Sequence, residues 1–81
     1  MIASAMIQFC GDGLKKVEWI LEHGESLSDS QFRTLHRYRA ELVELAQIAR
    51  YETSSTVTDR QEMHVETIFL DLDCMVQRMN E

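Results

Sequence analysis

Glu62, His64 and Glu66 come closest to a metal-ligand pattern in this chain: two carboxylates and an imidazole within five residues. On a helix only Glu62 and Glu66, spaced i and i+4, share a face, and His64 projects away from both. No His-x3-His or Cys-x2-Cys pair is present, so the ligand spacing of a zinc site is missing. The two glutamates suit the start of a helix, where the macrodipole favours negative charge. No metal and no other cofactor is expected.

Nucleophilic chemistry finds no better footing. Cys10 falls on an apolar face and reads as a small buried hydrophobe. Cys74 sits beside Asp71 and Asp73, acidic neighbours that do not favour a reactive thiolate. Asp71 with Asp73, or Glu62 with Glu66, imitates the carboxylate pair of general acid–base catalysis. Nothing glycine-rich or concave accompanies either pair, and a thin helical protein offers little pocket volume. There is no phosphate loop, no Gly-x-Ser-x-Gly and no dinucleotide fingerprint. The expectation is a protein that is not an enzyme.

Arg33, His36, Arg37 and Arg39 form the only basic cluster. Arg33 and Arg37 share a helix face, and Arg37 with Glu41 has the i, i+4 spacing of an ion pair. The chain as a whole carries a formal charge of −6, which phosphate backbones repel, so nucleic-acid binding is disfavoured. The alternative kept open is a dimeric nucleic-acid-binding regulator using the Arg33/Arg37 patch. The same residues equally suit docking on an acidic protein. The acidity itself is uneven. Residues 29–52 are balanced, whereas residues 53–81 hold six acids against Arg60 and Arg78.

Three helices must position these groups. The chain has 81 residues, three glycines and no proline, which favours long helices over a many-turned β fold. One domain over residues 1–81 is the only sensible count, and a chain this short buries roughly 60% of its unfolded surface. The first helix spans about 2–23. Ala3, Met6, Ile7, Cys10, Leu14, Val17, Ile20 and Leu21 fall on one broad face. That phase holds across Gly11-Asp12-Gly13, so two readings stand: a continuous helix, or a break with Asp12 as N-cap. Gly24 suits the position just past the helix end. A second helix, about 29–52, opens on the capping box Ser28-Asp29-Ser30-Gln31, with Leu27 and Phe32 at the staple positions. Leu35, Tyr38, Leu42, Leu45, Ala46 and Ala49 make its stripe. It fades near Glu52 into a Thr53-Ser54-Ser55-Thr56 connection. The box Thr58-Asp59-Arg60-Gln61 opens a third helix, about 59–79, with Val65, Ile68, Phe69, Leu72, Met75, Val76 and Met79 as its core face. Short connections imply antiparallel neighbours. The expected fold is all-α, a three-helix up-down-up bundle.

Several apolar residues fall off these faces. Met63, Leu70 and Cys74, with Thr67 between them, line a second seam opposite the core of the third helix. Either that helix is central, with a neighbour on each side, or the seam is a subunit or partner interface. Trp19 lies in the middle of the polar face of the first helix, so it is covered by the 24–28 loop or anchors a partner. Ile48 and Tyr51 also stand away from the stripe of the second helix. A two-fold homodimer through Met63, Thr67, Leu70 and Cys74 resolves the surplus. Trp19, Arg33, Arg37, Ile48 and Tyr51 are the candidate contacts to another protein. The expected function is that of a small non-enzymatic regulator or adaptor that occupies a surface on a partner, an inhibitory mode included. The N-terminus lacks a basic n-region and no run approaches the roughly 18 apolar residues of a membrane span, so a cytoplasmic protein with reduced cysteines is expected.

Overall fold

The computed structural model describes residues 2–51 and 57–80. They form three α-helices: α1, Ala3–His23; α2, Asp29–Tyr51; and α3, Asp59–Met79. Each boundary lies within a residue or so of the periodicity reading. Glu52 and the Thr53–Thr56 connection lie outside the described residues.

Both capping boxes form. The Gln31 backbone N–H donates to Ser28 Oγ at 3.2 Å, and the Ser28 N–H donates to Gln31 Oε1 at 2.8 Å. Thr58 and Gln61 repeat the exchange at 3.2 and 3.1 Å. Each box satisfies donors that a helix start otherwise leaves unpaired.

α1 runs unbroken through Gly11 and Gly13, so Asp12 caps nothing. Two internal glycines cost about 1 kcal/mol each against alanine. Burial of Met6, Cys10, Val17 and Ile20 on one face outweighs that, since each large apolar side chain contributes about 1.5–3 kcal/mol when removed from water. Gly13 is also where both neighbouring helices come close to α1. A Cβ there would lie 3.0 Å from Leu42 Cδ1 of α2 and 3.3 Å from Phe69 Cε2 of α3. Gly24 ends α1 with a negative φ of −95°, so it serves no left-handed cap. It is needed for room, because a Cβ would lie 2.3 Å from Leu27 Cδ1 and 2.6 Å from the Ile20 carbonyl oxygen.

The directions follow from the contacts. Residue 13 of α1 meets residue 69 of α3, and Lys16 meets Asp73, so α1 and α3 run parallel. Glu41 meets His64 and Tyr38 meets Asp71, so α2 and α3 run antiparallel. The result is an up-down-up bundle measuring 42 × 18 × 17 Å. α1 packs along both other helices, whereas α2 and α3 touch each other least. The central helix is therefore α1, and the explanation of the second seam by a central third helix fails. The core gathers Met6, Cys10, Val17 and Ile20 of α1, Leu35, Tyr38 and Leu42 of α2, Val57, and Val65, Ile68 and Leu72 of α3. Among the described residues no buried side-chain nitrogen or oxygen lacks a hydrogen bond.

Candidate protein-binding surface

With α1 in the centre, α3 offers its core face inward and its opposite face to solvent. Met63 and Leu70 are 67% and 68% exposed, and Thr67 and Cys74 are exposed beside them. Thr67 Oγ1 donates to the Met63 carbonyl at 2.8 Å, the back-bonding common for threonine in helices. With its hydroxyl turned to the backbone, this residue adds a methyl to the row rather than a polar group.

The two borders of that row are held differently. On the α1 side, Lys16 pairs with Asp73 and its ammonium lies 4.9 Å from the Phe69 ring centre. Phe69 meets Phe9 edge to face at 4.8 Å. On the α2 side, Tyr38 donates its hydroxyl to Asp71, and His64 Nε2 lies 3.3 Å from Glu41 Oε2. Burial, then the hydrogen bond and charge of Asp71, pushes the Tyr38 phenol above its ordinary pKa, against an opposing pull from Arg37. The neighbouring carboxylates Asp71 and Asp73, both on α3, thus turn to different partners, Tyr38 of α2 and Lys16 of α1.

Because α2 and α3 diverge, an open cleft runs between them. Arg37, Tyr38 and Glu41 line one wall, with Arg60, Met63, His64 and Thr67 on the other and Ile68 at the base. The cleft continues past Glu44, Leu45 and Ile48. Two seam residues, Met63 and Thr67, therefore share a surface with Arg37.

The remaining candidates are dispersed. Trp19 is 37% exposed. Its indole stacks on His23 at 4.4 Å and 19°, while His23 Nδ1 lies 2.8 Å from the Trp19 carbonyl oxygen. Arg37 sits over the Tyr38 ring at 5.4 Å, and the carboxylate of Glu41 meets His64 across the cleft. Arg33 is exposed one turn away. Tyr51, 82% exposed, stands at the end of α2, and Ile48 is half-buried in the cleft. No protein-family model, curated protein or solved structure matches the chain. Geometry must carry the reading alone.

The two cysteines differ in setting. Cys10 is fully buried, 3.7 Å from the Met6 sulfur, and burial pushes its thiol pKa up. Cys74 is exposed. Among the described residues no group of three His, Cys, Asp or Glu side chains is placed to hold a metal, and no helix is long and apolar enough to cross a membrane. Tyr38 read in the sequence as a core position, Glu41 as the i, i+4 partner of Arg37 and His64 as part of a metal-like run, and nothing there brought them together with Arg60 in one cleft. Their only signal is spacing on separate helices, which says nothing until the helices are set against each other.

Proposed function

We propose that the protein is a non-enzymatic helical regulator or adaptor of the cytosol, acting by occupying a surface on another protein and self-associating as a homodimer along α3. The observation that carries this reading is the exposed row Met63–Thr67–Leu70–Cys74. A single solvated leucine needs no explanation, because apolar atoms make up much of any protein surface. A row aligned over three turns, backed by a helix whose other face is fully used, is the kind of patch that marks an interaction site. Trp19 and Tyr51 extend the argument to a second partner, since flat aromatic side chains dominate interface hot spots. Arg37 stacks on Tyr38 and shares the cleft with Glu41.

Two variants test the reading. Leu70→Glu places a charge in the row at a solvent-facing position, so helicity by circular dichroism stays and light scattering reports a monomer. Trp19→Ala keeps the mass of the wild type and loses the protein partner in an affinity pull-down. Retention of mass and partner by both variants overturns the proposal.

A further inference from the structure

We propose that the edge of α2 carrying Phe32, Arg39, Val43 and Arg50 docks an acidic amphipathic helix of another protein. This rests on the partner binding proposed above and assigns it a surface and a chemistry. Steps of seven, four and seven residues separate the four positions. At 100° per residue they fall within roughly 40° of one another, so they stand in one line along the helix. At 1.5 Å of rise per residue the line is about 27 Å long. All four side chains are exposed, Phe32 and Val43 by 36% and 39%. Apolar and cationic groups alternate along it.

The charges of α2 are sorted by side. Its two mid-helix carboxylates, Glu41 and Glu44, line the α2–α3 cleft, where Glu41 meets His64. Arg37 turns to the same cleft and lies over the Tyr38 ring. From Ser30 to Ala40 the helix holds no carboxylate at all. Among the described residues Arg39 and Arg50 have no ion pair, hydrogen bond or ring contact. A chain of net charge −6 thus leaves these two cations unanswered on one edge. Carboxylates of a partner answer them, and its apolar side chains cover Phe32 and Val43. A helix suits the line because it has the same rise as α2 and repeats the spacing residue for residue. A phosphate backbone would leave Phe32 and Val43 in water, and the acidity of the rest of the chain repels it. An anionic lipid surface meets the same repulsion, and two side chains give it little apolar area to bury.

The probe is a labelled helical peptide with leucine and glutamate alternating at steps of seven and four, titrated with the full chain by fluorescence anisotropy. Its counterparts carry glutamine or lysine in place of glutamate. The glutamate peptide is expected to bind about tenfold more tightly than the glutamine peptide, and to weaken as salt rises. Arg39→Glu combined with Arg50→Glu is expected to lose the glutamate peptide and gain the lysine peptide. Both positions are exposed, so helicity by circular dichroism stays. Equal affinity for the glutamate and glutamine peptides overturns the proposal, as does unchanged affinity in the double variant. Binding of duplex DNA or of phosphatidylserine vesicles in place of the glutamate peptide overturns it in favour of a phosphate ligand. In the pull-down, a partner kept by the double variant but lost by Trp19→Ala overturns this surface and leaves partner binding standing. No partner captured by the unaltered chain overturns both.

Discussion

At the scale of single residues, the three glycines divide by what surrounds them. Gly11 and Gly13 were visible in the sequence as weak points of a helix and Gly24 as the residue past its end, but what surrounds each was not. A Cβ at Gly11 meets nothing within 4 Å, while one at Gly13 meets Leu42 and Phe69. Gly11→Ala therefore keeps the propensity gain of about 0.5–1 kcal/mol, and urea unfolding should show it as a raised midpoint. Gly13→Ala crowds a close-packed crossing, and overpacking costs about 1–3 kcal/mol. It should come out less stable than Gly11→Ala by about 1 kcal/mol or more. Equal midpoints would mean that α2 and α3 do not converge on residue 13.

At the scale of elements, what is local was legible. Ser28/Gln31 and Thr58/Gln61 announced two helix starts because a capping box is a matter of four consecutive residues. What depends on how helices are rotated against each other was not. Tyr38 read as one more core position, and its bond to Asp71 across the α2–α3 gap has no sequence signature. That contact makes a pH prediction. Burial and Asp71 raise the folded pKa of Tyr38 above its ordinary value, so the unfolded chain loses this proton first. The stability it contributes is complete below about pH 10 and is lost as pH rises through the raised value. Urea midpoints measured from about pH 9 to about pH 11 should fall more steeply for the wild type than for Tyr38→Phe. Matching slopes would show that the phenol is not held in this way.

At the scale of the whole molecule, the periodicity of the chain was enough for three helices and a surplus apolar seam, but not for which helix sits in the middle. Counting apolar faces cannot decide that. Gly13 does, because a helix without a side chain at its crossing admits two neighbours at once. The consequence for α3 is an outer face that this chain does not cover. If a second copy covers it, folding and association are linked, and the thermal midpoint should rise with protein concentration. Leu70→Glu should remove that dependence. Trp19 adds a means of following such transitions. The only tryptophan of the chain lies flat on His23, which in turn reaches back to the Trp19 carbonyl. Its emission thus reports whether the last turn of α1 is wound, while far-ultraviolet dichroism averages over all three helices. Agreement of the two unfolding curves would mark an all-or-none transition. Emission changing first would mark a terminus that melts ahead of the bundle.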